Sequence, residues 1–273
     1  MGKFDGILIC TDLDGTLFKN DKSISLENKE AIEFFKKEGG KFTFVTGRMP
    51  FYISDTCEKV KPNAPFGCNN GGGLYDSFKN EYLWTSNMSG GFEELIECIE
   101  KELPDVGIVI NTFYEAYFCK ENSITPFYRK ITNLPQKFCD YKNVKEPVAK
   151  VVFLIEKEED VLEIKKRLDE NPASKKFDFV RTEKYLYEML PGGIGKGTAI
   201  VKLAEYLNID INKTIAIGDY DNDISMFKAA KVGIAVSNAC EAALKAADFT
   251  TVSNEEHAIA QVIYDLENGK YLI

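Results

Sequence analysis

Short apolar runs alternate with amphipathic segments over the first 70 residues of the chain. Residues 6–10 are continuously apolar, which is typical of a parallel strand buried on both faces. Residues 26–38 carry apolar side chains on one side and follow Ser25, a candidate N-cap, so they predict an amphipathic helix. A second strand at 42–45 and a second helix at 51–60 come next. This order predicts a doubly wound α/β sheet with right-handed crossovers.

The pattern changes after about residue 84 and returns near Pro191. In the intervening segment, helices are followed by paired strands, which favours an α+β layer over more parallel sheet. The predicted elements there are helices at 92–103 and 158–168 and strands at 107–111, 116–119, 148–155, 177–181 and 185–189. After residue 191 the pattern predicts strands at 214–217 and 232–236. It predicts helices at 196–207, 239–247 and 255–267, and a further helix between the two strands that ends at 230. We therefore predict an α/β core formed by residues 1–84 and 190–273, interrupted by an α+β domain at 85–189.

The composition excludes several classes of protein. The chain has 34 Lys and Arg against 43 Asp and Glu, a net charge of −9, which argues against a nucleic-acid-binding surface. A single histidine, His257, rules out a multi-histidine zinc site and allows a Ser-His-Asp triad only if His257 itself serves. The seven cysteines contain no C-x-x-C pair, which favours a reducing, cytoplasmic location. No run approaches the roughly 18 apolar residues of a membrane span, and the first residues lack a long apolar signal segment, so we expect no membrane partner.

Three polar clusters each follow a predicted buried strand. They are Thr11-Asp12-Leu13-Asp14-Gly15-Thr16, Thr46-Gly47-Arg48 and Gly218-Asp219-Tyr220-Asp221-Asn222-Asp223. In an open parallel sheet, ligands bind at the carboxyl ends of the strands. Residues from the two ends of the chain are therefore expected to meet at one edge of the sheet.

The aspartates of these clusters predict a divalent metal site. The four are Asp12, Asp14, Asp219 and Asp223. Like charges at such distances repel strongly unless a cation joins them, and Mg²⁺ suits a site of oxygen ligands that also holds waters and a phosphate. Positive potential for the phosphate is expected from Lys196 and from the backbone amides around Leu13, Gly15, Thr46 and Gly47. Taken alone, D-x-D-G-T could be a simple turn after a strand, but the other two clusters favour a site.

These residues resemble a known family. Asp12-Leu13-Asp14-Gly15-Thr16, Thr46, Lys196 and Gly218-Asp219-x-x-Asn222-Asp223 are similar, in this order, to the four signature motifs of the haloacid dehalogenase superfamily. The Val45-Thr46-Gly47-Arg48 form, the Asn70-Gly71 turn and the insertion at 85–189 look like the Cof-type hydrolases of that superfamily. The resemblance implies a Rossmann-like parallel-sheet core with a mobile cap domain that selects the substrate. It also implies a Mg²⁺-dependent phosphatase acting on sugar phosphates and related small phosphomonoesters.

The resemblance further implies a role for each motif residue. Asp12 would attack phosphorus to form an aspartyl-phosphate, and Asp14 would protonate the leaving oxygen and then take a proton from the attacking water. Mg²⁺ would be held by Asp12, the backbone carbonyl of Asp14 and Asp219. Asp223 would support these ligands without binding the metal itself, and Thr16 would close the turn. The phosphoryl group would be bound by Leu13, Thr46, Gly47 and Lys196 and oriented by Asn222. Arg48 either reaches the substrate or pairs with an acidic neighbour, and the sequence favours neither.

Two alternative functions stay open at this point. One is a phosphomutase of the same superfamily, and the other is a non-catalytic protein that binds a phosphorylated metabolite. The intact catalytic set, Asp12, Asp14, Lys196 and Asp219, speaks against the second, since binding alone does not require a second catalytic carboxylate. No motif in 85–189 identifies the small phosphorylated partner or the oligomeric state. The Thr112-Phe113-Tyr114-Glu115 turn is the first candidate for a surface that faces the substrate.

Overall fold

The computed structural model describes residues 2–273 and divides the chain into two compact units. The first unit comprises the residues up to Gly47, Ile53–Trp84 and Gly195–Ile273, and the second comprises Arg48–Tyr52 and Thr85–Ile194. The sequence pattern assigns residues 48–52 and 190–194 to the first unit, whereas the structure groups both stretches with the second. In the first stretch, Met49 is buried in an apolar cluster with side chains such as Val109 and Phe118.

The chain begins with two strand–helix pairs and a small antiparallel sheet. The elements are β1 (Leu8–Thr11), α1 (Leu26–Lys37), β2 (Lys41–Phe44), α2 (Ser54–Val60), β3 (Phe66–Cys68), β4 (Gly73–Asp76) and β5 (Glu81–Thr85). Ser25 caps α1 as predicted, because its side chain accepts a hydrogen bond from the Asn28 N–H. The second helix is shorter than predicted. Pro50–Tyr52 form one 3₁₀ turn and Ile53 has non-helical backbone angles, so α2 begins only at Ser54.

The middle of the chain forms an antiparallel sheet with helices. Its elements are α3 (Phe92–Glu102), β6 (Gly107–Thr112), β7 (Ala116–Lys120), α4 (Thr125–Thr132), β8 (Val148–Leu154), α5 (Asp160–Glu170), β9 (Phe177–Glu183) and β10 (Leu186–Pro191). The strand order is β7-β6-β8-β10-β9. Apolar residues of α3 and α5 share one core with this sheet, whereas Tyr128 of α4 belongs to a separate cluster. This is the α+β layer that the pattern predicts.

The remaining elements complete a parallel sheet. They are α6 (Lys196–Leu207), β11 (Thr214–Gly218), α7 (Ile224–Ala229), β12 (Val232–Val236), α8 (Glu241–Ala246), β13 (Phe249–Thr251) and α9 (Ala258–Glu267). The strand order is β13-β12-β11-β1-β2, with all neighbouring strands parallel. The predicted Rossmann-like α/β core is therefore confirmed.

Both faces of the parallel sheet are buried, which leaves its strand ends for a ligand. Ile9 packs into one core with apolar residues of α1 and α9, whereas Leu8 and Cys10 pack into another with residues of α6, α7 and α8. In the ladder, Thr11 pairs with Phe44 on one side and with Ile217 on the other. The three predicted polar clusters therefore leave the sheet at the same edge.

Two further features bear on the composition. The seven cysteines, which all lie in the described part of the chain, are free, and Cys10 and Cys68 are buried. Among residues 2–273, no helix is both long enough and apolar enough to span a bilayer.

Candidate active site

The first strand leads directly into the loop that carries Asp12. The Asp12 N–H donates to the Ile217 carbonyl at 2.8 Å, so the backbone is still paired with β11 at this point. The chain then turns, with the side chain of Leu13 fully buried and its carbonyl accepting from the N–H of Phe18. Gly15 has φ +81°, and a Cβ there would lie 2.5 Å from Asp219 Oδ2. Glycine is thus required at this position for the loop to approach the carboxylate of Asp219.

Lys196 joins this loop to the third polar cluster. It is the first residue of α6 and is only 2% exposed. Its Nζ lies 2.5 Å from Asp12 Oδ1 and 2.6 Å from Asp223 Oδ1. Charged groups are buried in proteins when they are paired and hydrogen-bonded, and this ammonium satisfies two carboxylates at once.

Asp223 organises the loop that presents Asp219. Its Oδ2 accepts the backbone N–H of Asp219 at 2.8 Å and that of Tyr220 at 3.1 Å, while its Oδ1 is held by Lys196. Asp219 Oδ1 in turn accepts from the hydroxyl of Thr16 at 2.8 Å. Because both oxygens of Asp223 already accept bonds from protein donors, Asp12 and Asp219 are the better placed to bind a cation.

The charges at this edge fit a divalent metal. Asp12, Asp219 and Asp223 each place one carboxylate oxygen within 4.8 Å of the others. With one ammonium against three carboxylates, 3 − 1 leaves two negative charges uncompensated when all are ionised. Burial, repulsion from Asp223 and repulsion from Asp14 raise the pKa of Asp12 to about 7, against the attraction of Lys196. A cation with hard oxygen ligands relieves this repulsion, and the donor set therefore fits Mg²⁺.

The other two buried groups have shifted pKa values for related reasons. Burial, followed by repulsion from Asp12 and Asp223, raises the pKa of Asp219 to about 8. Burial pulls the pKa of Lys196 down, but its two carboxylate partners together outweigh burial and raise it. Lys196 therefore stays charged, whereas Asp12 and Asp219 ionise less readily than ordinary aspartates in the absence of a cation.

Asp14 differs from the other aspartates. Its side chain is not part of the carboxylate group that the described residues bring together. Its Oδ1 accepts from Lys22 Nζ at 2.8 Å, and the side chain is 26% exposed. A carboxyl group that is partly open to solvent suits proton exchange better than metal binding.

The second polar cluster lies at the end of β2. Thr46 is buried, and its N–H donates to the Gly67 carbonyl at 2.9 Å. Gly47 is partly buried and ends the first unit, whereas the half-buried Arg48 is grouped with the second. The boundary between the two units therefore falls between Gly47 and Arg48.

Sequence reasoning missed two asparagines that contact this site. Asn70 Oδ1 accepts from Asn222 Nδ2 at 3.1 Å, and Asn238 Nδ2 donates to the Gly15 carbonyl at 2.9 Å. The glycines after Asn70 signalled a turn, but nothing in the local pattern shows where its side chain goes. Asn238 has no local signal at all, because its contact depends on the tertiary fold.

The predicted turn in the second unit is present. The Thr112 N–H donates to the Glu115 carbonyl at 2.8 Å, and the turn joins β6 to β7. Tyr114 is 62% exposed, and its ring centroid lies 5.6 Å from that of Phe51. That this turn faces the substrate stays a prediction.

Comparison with known proteins places the chain in a family. Residues 9–263 match the haloacid dehalogenase-like hydrolases. A 5-amino-6-(5-phospho-D-ribitylamino)uracil phosphatase of Bacillus subtilis is 29% identical over 262 residues, which cover 94% of this chain and 96% of that protein. A phosphoglycolate phosphatase of Methanosarcina acetivorans is 27% identical over 271 residues, 99% of this chain and 100% of that one.

A solved structure agrees with these matches. The crystal structure of a haloacid dehalogenase-like hydrolase from Bacteroides thetaiotaomicron has a TM-score of 0.80 and 26% identity, and the match covers 97% of this chain and 100% of that chain. The carboxylate–lysine arrangement at the sheet edge is thus found in a chain that belongs to the haloacid dehalogenase-like hydrolases, as its Cof-type motifs predict.

Proposed function

We propose that this hydrolase is a Mg²⁺-dependent phosphatase that releases phosphate from small phosphomonoesters, namely sugar phosphates or related metabolites. The observation that carries the proposal is the buried contact of Lys196 with Asp12, beside the carboxylate of Asp219. A nucleophilic carboxylate, an ammonium and a cation site in one place supply the positioning and the positive charge that phosphoryl transfer requires. The phosphatase names of the two relatives support the same reaction class.

The reaction proceeds through Asp12. Lys196 holds Oδ1 of this side chain, so Oδ2 attacks phosphorus and forms an aspartyl-phosphate as the leaving oxygen departs. Asp14 protonates that oxygen and afterwards removes a proton from the water that hydrolyses the intermediate. Its partial exposure allows it to exchange this proton with solvent between turnovers.

The remaining site residues hold the charges in place. Mg²⁺ would be held by Asp12, the Asp14 backbone carbonyl and Asp219, and when bound it supplies positive charge to the phosphoryl oxygens. Asp223 fixes the Asp219 loop and Thr16 fixes the Asp219 carboxylate through the contacts described above. The phosphoryl group is bound by Leu13, Thr46, Gly47 and Lys196 and oriented by Asn222, and Arg48 is a further candidate for contact with the substrate.

The substrate is proposed only as a class. In this proposal the first unit, predicted at 1–84 and 190–273, is catalytic, and the second, predicted at 85–189, is the cap domain that selects the leaving group. The two relatives, at 29% and 27% identity, are named for different phosphate esters. Similarity at this level therefore supports the reaction and leaves the leaving group open.

The first test removes the attacking oxygen. Asp12→Asn keeps the shape of the side chain but not its nucleophilic oxygen, so we expect kcat for p-nitrophenyl phosphate and a panel of sugar phosphates to fall by at least about 10³-fold. Asp21→Asn makes the same change at an exposed aspartate that accepts a hydrogen bond from the Ser23 N–H in its own turn, and it should keep full activity. A folded Asp12→Asn variant with near-full turnover would show that Asp12 is not the nucleophile.

Metal dependence and product analysis separate the alternatives. Phosphate release that stops on chelation and returns with Mg²⁺ supports the metal-dependent phosphatase. A rearranged phosphate ester without phosphate release indicates a phosphomutase, and binding of esters without turnover indicates a sensor protein. Either of these last two results overturns the proposed function.

A further inference from the structure

A turn with an unusual backbone lies next to the phosphate-binding residues. Its three residues, Asn69–Gly71, all have positive φ, at +51°, +53° and +90°. Asparagine and glycine are the residues that adopt this left-handed region most readily. A Cβ at Gly71 would lie 1.9 Å from the Gly195 carbonyl oxygen, so the turn packs directly against the residue before Lys196.

The middle residue of this turn contacts two of the phosphate-binding clusters. Asn70 is fully buried, and its N–H donates to the Thr46 carbonyl at 3.0 Å. Its Oδ1 accepts from Asn222 Nδ2 at 3.1 Å. The same oxygen would lie 3.0 Å from a Cβ at Gly47, so the Thr46-Gly47 backbone runs directly beside the Asn70 amide.

We propose that Asn70 is a positioning residue for phosphate binding, a role that none of the sequence motifs assigns to it. By accepting from Nδ2 of Asn222, it fixes which way the Asn222 amide faces and so where Asn222 Oδ1 points. Its backbone bond to Thr46 holds the neighbouring phosphate-binding loop against the same turn. The inference rests on the proposed function, because it concerns the phosphate site of that reaction.

The residue next to it supplies a matched control. Asn69 has the same left-handed backbone and is also fully buried. Its Nδ2 lies 4.0 Å from Cys68 Sγ, and its Oδ1 has no hydrogen-bond partner among the described residues. Substitution of either asparagine by glycine keeps the positive φ and removes one buried amide, but only the change at 70 removes a contact with Asn222.

The experiment compares Asn70→Gly with Asn69→Gly. We expect kcat/KM for a turned-over phosphomonoester to fall about 10- to 100-fold in Asn70→Gly, the usual effect of removing a residue that orients a ligand-binding group. The Kd of inorganic phosphate for the Mg²⁺-loaded protein, measured by calorimetry, should rise about 10-fold with it. Asn69→Gly should change both values by less than about 3-fold at a similar loss of thermal stability. Equal effects of the two substitutions would mean that Asn70 has only a structural role, and would overturn the proposal.

A double-mutant cycle tests whether Asn70 acts through Asn222. If it does, adding Asn70→Gly to Asn222→Ala should lower kcat/KM by less than about 3-fold further, because the contact is already lost. A fully additive loss would contradict this coupling.

Should Asn70→Gly not fold, Asn70→Asp keeps the size and the acceptor but adds a negative charge beside the phosphate. It should raise the phosphate Kd at least about 10-fold while Asn69→Asp does not, and equal effects would again overturn the proposal.

The phosphate readout separates this inference from the proposed function. If the wild-type protein binds phosphate more tightly than Asn70→Gly does but hydrolyses no ester, only the proposed function is contradicted. A wild-type protein that hydrolyses esters while Asn70→Gly behaves as Asn69→Gly contradicts the inference alone.

Discussion

A single ammonium, that of Lys196, lies between two buried carboxylates. Lys196→Met removes its charge at similar volume and leaves Asp12 and Asp223 without their partner. Breaking a buried pair in this way costs about 3–5 kcal/mol, which we expect in the free energy of unfolding at pH 8 with chelator present. The loss should be smaller at pH 5. Because the pKa of Asp12 is about 7 in the native site, this carboxyl is protonated at pH 5 and no longer repels the neighbouring carboxylates.

The control for this prediction is an ion pair at the surface. Lys202 pairs with Glu205 at 2.9 Å, with side chains 35% and 60% exposed. Lys202→Met should therefore cost no more than about 1 kcal/mol at either pH. Urea unfolding of both variants measures the difference. A Lys196→Met loss as small as the control, or one that does not shrink at pH 5, would show that the buried carboxylates do not depend on Lys196 for their stability.

The site residues fall into two groups according to what could be predicted. Asp12 and Asp219 follow continuous apolar strands, and the geometry of a parallel sheet brings the ends of such strands together whatever the intervening chain does. Asn70 and Asn238 reach the site only through turns whose side-chain directions depend on tertiary packing. The pairing of Lys22 with Asp14 was not foreseen for the same reason, since Lys22 lies in a solvent-exposed turn with φ +64°.

Elements were predictable where they were long and fully buried. The strands β1, β8, β11 and β12 are mostly apolar and buried at every position, and each was found close to its predicted bounds. The helix α4 was missed because it has only eight residues and a proline in its first turn. The strand β13 was missed because it has three residues at the edge of the sheet, two of them exposed.

One buried charged pair joins two otherwise apolar strands. Lys150 of β8 and Glu188 of β10 are 2.7 Å apart, with side chains 3% and 4% exposed. Glu188→Gln would leave the lysine charge buried without its carboxylate, so we expect a loss of about 3–5 kcal/mol in the free energy of unfolding. The double replacement Lys150→Met with Glu188→Leu removes both charges and should be close to neutral or stabilising.

The comparison for this pair is Glu158→Gln in the same unit. Glu158 binds Arg181 and Lys184 at the surface, and losing its charge should cost at most about 1 kcal/mol. Denaturant midpoints of the three variants and the wild type measure the differences. If the double variant is as unstable as Glu188→Gln, the cost comes from the geometry of the strands and not from an unpaired charge.

At the scale of the whole molecule, the acidic composition and the function are linked at one place. The net charge of −9 does not suit an anionic substrate, yet Lys196 and a divalent ion would locally reverse the sign of the field at the sheet edge. The proposed reaction class follows from this edge, because its charges and its proposed nucleophile are the same whatever the leaving group. The leaving group could not be predicted, since relatives that match nearly the whole chain in sequence are named for different esters.

Metal binding should therefore stabilise the whole protein in a pH-dependent way. In metal-free protein the pKa values of Asp12 and Asp219 are raised to about 7 and about 8, above the value of about 4 in an unfolded chain. Carboxyls with raised pKa values favour the unfolded state as pH rises through 4 to 8, because the unfolded chain then ionises more easily. Mg²⁺ bound to the ionised carboxylates offsets this loss. At a concentration about 100 times its Kd, Mg²⁺ adds about 2.7 kcal/mol, or about 5–10 °C in Tm.

We expect this Mg²⁺-dependent rise in Tm at pH 8.5 and a much smaller rise at pH 6 for the same Mg²⁺ concentration, since protons compete for the same oxygens. Differential scanning calorimetry of chelated and Mg²⁺-loaded protein measures it. Asp219→Asn removes one proposed ligand and should abolish most of the rise, whereas Asp210→Asn, at an exposed aspartate that caps a turn before β11, should keep it. A rise in Tm that is equal at both pH values, or that survives Asp219→Asn, would place the cation elsewhere on this acidic protein.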